Sequence, residues 1–303
     1  MGTNPPRGIL VVDKPAGPSS HAVVSWARKA LGTRKVGHAG TLDPAATGVL
    51  VLGVGAGTRL LGHLAGDDKE YLSTFVFGVG TTTDDAQGEP TVEAGARIGR
   101  VDVTAAMQAW TGDIMQRPSA VSAIKVDGKR AYDLVRSGQE VDLAERPVRI
   151  SVFELLDLRL ERAVNSHGAD IDVTVADVRV VGSSGTYVRA LARDVAAHLG
   201  TAGHVRELRR VRSGAFGIDD AVPADAITEE GLVPLAQAAS RSLPWVAVPQ
   251  ESVRSIRHGV QIAWPPDVPT QGAVAIVHGD DLIALAEERG GRARYLAVFP
   301  PID

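Results

Sequence analysis

Gly37-His38-Ala39-Gly40-Thr41-Leu42-Asp43-Pro44-Ala45-Ala46-Thr47-Gly48-Val49-Leu50-Val51-Leu52 begins as a small, polar, glycine-rich loop and ends in an apolar run. One carboxylate, Asp43, stands between Leu42 and Pro44. Proline biases the residue before it away from the helical region, so Asp43 is expected in an extended or turn geometry. An Asp-Pro pair ordinarily does no more than make a turn, with the carboxylate bonding nearby amides. Two features argue for more here. Gly37, Gly40 and Gly48 let a partner approach the backbone closely. A lone acid on a stiff loop that feeds a buried strand is also well placed to be held in a cleft. The segment carries no second acid, which turns the reading away from paired-carboxylate chemistry.

Outward from this loop, the chain reads as alternating short strands and helices. Upstream, the apolar run Gly8 to Val12 is a buried strand. It ends in the turn chemistry of Asp13-Lys14-Pro15-Ala16-Gly17-Pro18. Ser19 or Ser20 can cap a helix reaching about Leu31, with Val23, Val24, Ala27 and Leu31 on its apolar face and Gly32 beyond its end. Downstream, Val49–Val54 is a strand. Gly53 to Gly57 lacks the Gly-Lys-Ser/Thr of a phosphate loop and does not fit the dinucleotide fingerprint, so it is read as a turn into a helix over 58–64. Residues 69–78 alternate as a long strand. Thr81 to Glu89 is a polar, acidic loop that a phosphate backbone should avoid. A helix follows over 103–110, then an extended segment over 116–125 and a helix over 129–137. Strands are expected over 149–162, 170–181 and 205–212, with a helix over 187–199 between the last two. From about 245, short apolar runs separated by Gly279-Asp280 and Gly290-Gly291 read as a small β-rich module. The division expected from this is 1–243 and 244–303.

The chain has 303 residues, 44% hydrophobic and 22% charged, an ordinary globular composition long enough for a substantial core. It contains no cysteine, which excludes disulfides, thiolate metal sites and cysteine nucleophiles. Its eight histidines show no zinc-ligand spacing. The start lacks the basic-then-apolar arrangement of a secretory signal. The longest apolar run, Val49 to Val54, is far too short to span a bilayer. A cytoplasmic monomer with no membrane partner is expected. The formal net charge of −4 argues against a generally basic nucleic-acid binder. Phosphate binding needs only a local basic face, however. Arg28, Lys29, Arg34 and Lys35 precede the Asp43 loop, and Arg206, Arg209, Arg210 and Arg212 form a second cluster, so an RNA track is expected there.

The loop GHAGTLDPAATGVL resembles the catalytic motif of the TruB family, the tRNA pseudouridine-55 synthases. Further matches are spread in order along the chain. They are Val12 to Gly17 with Ser19-Ser20, Asp68-Lys69-Glu70-Tyr71, Pro118 to Lys125, Gly185-Thr186-Tyr187-Val188-Arg189 and Gly203 to Arg210. Several ordered motifs over about residues 8–215 are far more specific than any one short pattern. The resemblance implies an α+β architecture, the pseudouridine synthase fold, with a mixed and mostly antiparallel sheet and flanking helices. It also implies that the tail is a PUA-type RNA-binding domain, as is common in the family.

The reaction implied is the isomerisation of uridine 55 in the T-loop of tRNA. It needs a carboxylate beside the sugar or base, a shielded pocket and a base near C5. No metal, redox group or external energy is required, so no cofactor is expected. By motif match, Asp43 is the essential carboxylate. It could attack C1′ of the ribose, add to uracil C6 or remove a ribose proton. Arg189 matches the arginine that pairs with it, and a planar guanidinium suits a carboxylate partner. Tyr71 matches the tyrosine that stacks on the uracil and is favoured as acceptor of the C5 proton. A phenolate is a poor resting form for a free tyrosine, so stacking is the first role expected of it. Tyr187 and Leu208 match pocket-lining residues, and His38 a histidine of the target-base loop. Lys14 and Lys125 are expected to support the catalytic loop or to meet phosphate. A non-catalytic RNA chaperone on the same scaffold would keep the basic clusters but would not need Asp43, Tyr71 and Arg189 together.

Overall fold

The computed structural model describes residues 5–119, 125–126, 129–130 and 143–301. Where a helix is expected over 129–137, Lys129–Arg130 is instead a short strand paired antiparallel with Lys125–Val126, and 131–137 lie outside the described residues. By their contacts the residues form two compact units. One comprises 1–42, 48–66 and 213–303, the other 43–47 and 67–212.

In the first unit the strand Gly8–Lys14 runs antiparallel to Thr47–Val54, with Val12 opposite Leu50. Ile9, Leu10, Val11 and Val12 are all fully buried. A continuous apolar run of this kind marks a strand covered on both faces. The strand Val36–Ala39 pairs with the later half of Thr47–Val54 and puts His38 opposite Leu52. Helix Ser20–Ala30 buries Val23, Val24 and Ala27. Of the two serines that could cap it, Ser19 does so, accepting a hydrogen bond from the Ala22 amide. Ser20 is thereby released for another contact, described below.

The tail builds its own four-stranded sheet from Trp245–Ala247, Val274–His278, Asp281–Arg289 and Arg292–Val298, in that order. The last hairpin turns at Gly290-Gly291, with φ of 62° and 76°, a conformation that disfavours side chains with a Cβ. One face of this sheet (Ala275, Val277, Leu282, Leu285) shares a core with Ile9, Val11, Ala236 and Ala239. The other (Ile276, Ile283, Ala284, Ala286) packs on Val253 and Ile256 of helix Gln250–Arg257. The tail is thus a distinct sheet within the first compact unit.

The second unit orders its strands as Gly203–Ser213, Lys69–Phe77, Asp170–Gly182, Arg146–Val164 and Gly112–Gln116. The last four pair antiparallel. Helix Val188–His198 buries Val188, Ala190, Leu191, Ala192, Val195 and Ala196. A Cβ at Gly203 would come within 2.7 Å of the Ala196 Cβ, so only glycine allows this approach.

Charged side chains cross-link these strands. Glu70 accepts from Arg179 Nε at 2.7 Å and from Arg212 Nε at 3.1 Å, joining three strands. The hydrogen bond from Arg179, reinforced by Arg212 and opposed by burial, holds the Glu70 carboxyl below its ordinary range. A carboxyl depressed by folding contributes stability above its unfolded pKa and loses that contribution as pH falls through the folded value. The partners are partly exposed and screened, so Glu70→Gln should cost about 1 kcal/mol at pH 7. Denaturant melts at pH 7 and pH 3 should show that gap closing in acid. A gap independent of pH would mean that packing, not the ion pairs, is lost.

Candidate active site

The Asp43 loop is held on both sides of its carboxylate. In the first unit Ser20 Oγ accepts from the Leu42 amide at 2.8 Å and donates to the Leu42 carbonyl at 2.9 Å. One buried hydroxyl thus uses both its donor and its acceptor capacity on the peptide groups of the residue before Asp43. In the second unit the Asp43 carbonyl accepts from the Ala46 amide at 3.1 Å, which closes the turn that Pro44 favours. Arg209 reaches Thr47 Oγ1 at 3.4 Å.

The carboxylate itself meets Arg189. Nη2 of the guanidinium lies 2.9 Å from Asp43 Oδ2. Nη1 lies 3.2 Å from Asp85 Oδ2 and donates to the Thr83 carbonyl at 2.8 Å. The Arg189 side chain is 6% exposed, Asp85 13% and Asp43 37%. The guanidinium is therefore a fixed fork between an inner carboxylate and an outer one, and Asp43 is the one a ligand can reach. Asp85 is itself pinned, accepting from Thr83 Oγ1 at 2.6 Å and from the Gln87 amide at 3.0 Å. Its neighbour Asp84 is the one non-glycine residue with positive φ, 58°, among the described residues, and it pairs with Arg193.

Arg189 sits in the first turn of helix Val188–His198, whose N-cap is Tyr187. No side chain of Tyr187 caps the helix. Instead Gln116, 1% exposed, accepts from the Tyr187 amide at 2.8 Å and donates to the Tyr187 carbonyl at 3.0 Å. This primary amide fixes the peptide from which the site helix starts. Burial pushes the Tyr187 hydroxyl up from its ordinary range, with the Asp43 carboxylate acting in the same sense and Arg146 and Arg189 opposing. Tyr187 is consequently a neutral hydroxyl at physiological pH.

Tyr71 is buried on strand Lys69–Phe77, opposite Val180. Leu208 is half-buried on the neighbouring strand, and Ser73 Oγ ties the two strands by donating to the Glu207 carbonyl at 2.7 Å.

The sequence model described as the TruB family pseudouridylate synthase N-terminal domain matches residues 28–188. That span contains Asp43 and Tyr71 and ends one residue short of Arg189. The tRNA pseudouridylate synthase B C-terminal domain matches residues 189–246. The chain belongs to the TruB family. Relatives bearing the name tRNA pseudouridine synthase B include one from Streptomyces griseus, 48% identical over 98% of both chains. Another, from Cutibacterium acnes, is 48% identical over 96% of this chain and 98% of its own. Among solved structures, a chain of a Cbf5–Nop10–Gar1 complex superposes with a TM-score of 0.71 at 25% identity, covering 97% of this chain and 85% of that one. A chain of an H/ACA RNP bound to a substrate RNA containing 2′-deoxyuridine gives 0.70 at 24% identity, covering 99% and 92%. The fold is that of the pseudouridine synthases.

Within this TruB-family chain, the motif residues divide between the two units. Asp43, Tyr71, Tyr187, Arg189 and Leu208 belong to the second, and Asp43, Tyr187 and Arg189 are brought together there. His38 belongs to the first, its ring edge-on to His21 with centroids 5.2 Å apart. Lys14, also in the first, is fully buried, and its ammonium donates to the carbonyls of Pro15 and Pro18 at 2.9 Å each. An inward ammonium of this kind supports a loop and is not presented to phosphate. The side chain of Lys125 lies outside the described residues.

Asp85 and Gln116 were not singled out by sequence. Asp85 lies in the acidic loop that reads as repelling RNA, and nothing in its local pattern marks it as facing Arg189, 104 residues away. Gln116 begins the extended segment expected over 116–125, but its role depends on a partner in another element. The second basic cluster is also rearranged by folding. Arg210 is buried, Arg206 pairs with Glu161 and Arg212 with Glu70. Arg206 and Arg212 thus cross-link strands of the sheet, and Arg210 is not open to solvent. Among the described residues no group of three or more His, Asp or Glu side chains is gathered as a metal site.

Proposed function

We propose that this chain isomerises uridine 55 in the T-loop of tRNA to pseudouridine. The reading is carried by one observation: the half-exposed Asp43 carboxylate is held by the buried Arg189 guanidinium, in a TruB-family chain nearly half identical to proteins named tRNA pseudouridine synthase B. The N1–C1′ bond of the nucleoside breaks, the uracil turns while bound, and a C5–C1′ bond forms. C5 then loses its proton and N1 ends protonated, so no atom is added or removed overall. Asp43 serves as the essential carboxylate through attack at C1′, addition at C6 or removal of a ribose proton. Arg189 orients it, Tyr71 stacks on the base and is placed to accept the C5 proton, and Tyr187 and Leu208 line the uracil pocket. His38 belongs to the loop that receives the target base.

A base in a folded RNA loop is stacked, and extruding it costs on the order of a few kcal/mol, which base stacking and backbone contacts must offset. Recognition of such an RNA rests largely on shape and on splayed bases. The tail sheet, residues 244–303, is the proposed PUA-type RNA-binding module, on a chain acting as a cytoplasmic monomer. Among the described residues no helix is long and apolar enough to cross a membrane.

The test is tritium release from tRNA labelled at uracil C5. Release is expected from a transcript with uridine at position 55 and not from one with cytidine there. Equal release from the two transcripts would remove the site assignment. Tight tRNA binding with no release from either would replace the enzyme reading with that of an RNA chaperone.

A further inference from the structure

Helix Ser20–Ala30 has a second feature that the isomerisation does not use. In the first unit its outer face opens on a groove of about 770 Å³, whose walls include Trp26, Lys29, Asp13, Pro15, Asp225 and Ile227. Trp26 is 42% exposed, a large aromatic surface left uncovered. Lys29 stands three residues further along the helix and so shares its face. Lys29, Arg34 and Lys35 are all exposed, and none forms a salt bridge with a described residue. They differ in this from Arg206 and Arg212, whose charges are matched by glutamates, and from Arg28, which donates to the Val36 carbonyl. An unmatched lysine beside an open indole, with Arg34 and Lys35 following just beyond the end of the same helix, is conspicuous in a chain of net charge −4.

The chemistry of the walls selects the occupant. An indole offers a stacking face to any base, and lysines beside it offer a path for phosphate. Asp13 and Asp225 make the groove itself unsuited to a free phosphate or an acidic peptide. They can instead accept from an exocyclic amino group, as carboxylates accept from cytosine N4. Uracil has no such group, so the groove does not duplicate the pocket for the target uridine. The same helix begins at Ser20, which grips both peptide groups of Leu42. Trp26 is six residues on, roughly 9 Å along the axis at 1.5 Å per residue. It is therefore within reach of an RNA that meets the Leu42 peptide.

We infer that this groove is a second RNA contact. It takes an unpaired adenine, cytosine or guanine stacked on Trp26, with the adjoining phosphates on Lys29, Arg34 and Lys35. The inference rests on the reading of the chain as an RNA-modifying enzyme.

The test compares the full-length chain with Trp26→Ala, Trp26→Phe and Lys29→Glu. Binding of full-length tRNA would be measured by anisotropy across a salt series, with tritium release followed in the same samples and thermal melts confirming the fold. Loss of one stacked base predicts about a tenfold rise in Kd for Trp26→Ala. Trp26→Phe, which keeps a stacking face, should stay within about threefold of the native chain. Lys29→Glu should flatten the slope of log K against log salt by about one unit. Native affinity in a folded Trp26→Ala chain overturns the inference, and a concurrent change in sedimentation would assign the groove to contact between copies. Release by the native chain with binding indifferent to Trp26 leaves the enzyme reading intact and removes only the second contact. Binding that depends on Trp26 without release from the native chain does the reverse.

Discussion

Asp43→Asn is expected to abolish tritium release while leaving tRNA affinity and the melting transition close to those of the native chain. The substitution keeps the shape of the side chain and removes its charge and nucleophilicity. An essential carboxylate lost in this way should cost on the order of 10⁴-fold in kcat. The fold should tolerate the change because Arg189 is not left without a counter-charge. Asp85 still sits 3.2 Å from its Nη1, and the Thr83 carbonyl still accepts from it. Asp43 is also the more exposed of the two acids, so its loss opens no buried cavity. Release from Asp43→Asn at the native rate would sink the assigned role. A collapse in melting temperature would instead mean that Asp43 is chiefly a structural partner of Arg189.

Arg189→Lys should lower kcat by about 10²-fold with a smaller change in KM, the size of effect expected when a reacting group is misplaced by about 1 Å. A lysine keeps the positive charge but cannot reproduce the fork. The guanidinium contacts Asp43 through one terminal nitrogen and both Asp85 and the Thr83 carbonyl through the other. An ammonium is a single point of charge and cannot span partners on both sides. With Arg189→Ala, two carboxylates lose their shared cation, and the Asp85 side chain is mostly buried. Breaking a buried pair by removing one partner typically costs about 3–5 kcal/mol, so that variant should be visibly destabilised. Steady-state kinetics and chemical denaturation of the two variants separate the orienting role from the structural one. Equal loss of activity and stability in Arg189→Lys would mean that the arginine serves the fold alone.

The elements that carry these groups were legible in the sequence wherever the apolar pattern was long and regular. The strands Gly8–Lys14, Thr47–Val54, Lys69–Phe77, Arg146–Val164 and Asp170–Gly182 lie where alternation or continuous apolar runs place them. Helix Val188–His198 begins within one residue of its expected start. Helix Arg100–Ala109 begins three residues before the expected 103, because its first turn is polar and gives little periodic signal. The segment after Gly53 resolves into a 3-10 turn, Gly55–Arg59, and a short helix, Leu61–Leu64, where a single helix over 58–64 was expected. Glycine spacing announces a turn but says little about how tightly it winds.

The charged groups were harder to read. The arginine cluster over 206–212 has one appearance in sequence and another in the sheet: alternation puts Arg206, Arg210 and Arg212 on one face of their strand, and what covers or pairs each of them is set by the neighbouring elements. Arg210 goes inward while Arg206 and Arg212 find glutamates on other strands. The same limitation applies to Lys14, which in sequence is only a lysine before a proline turn and in the structure is fully buried with its ammonium satisfied by backbone carbonyls.

By itself the sequence determined that this chain belongs among the TruB enzymes, that Asp43 lies on a proline-stiffened loop, and that Arg189 opens a helix. These follow from local chemistry: proline restricts its neighbour, apolar periodicity sets strand or helix, and an ordered series of motifs is hard to produce by chance. Tertiary structure alone decided that Arg189 is shared between Asp43 and Asp85, that Gln116 fixes the Tyr187 peptide, and that Ser20 holds Leu42 while Ser19 caps the helix. The contacts of Arg189, Gln116 and Ser20 join residues between 22 and 146 positions apart (189 − 43 = 146 for Arg189 and Asp43). A hydrogen bond depends on distance and direction in space, and only the folded chain supplies them.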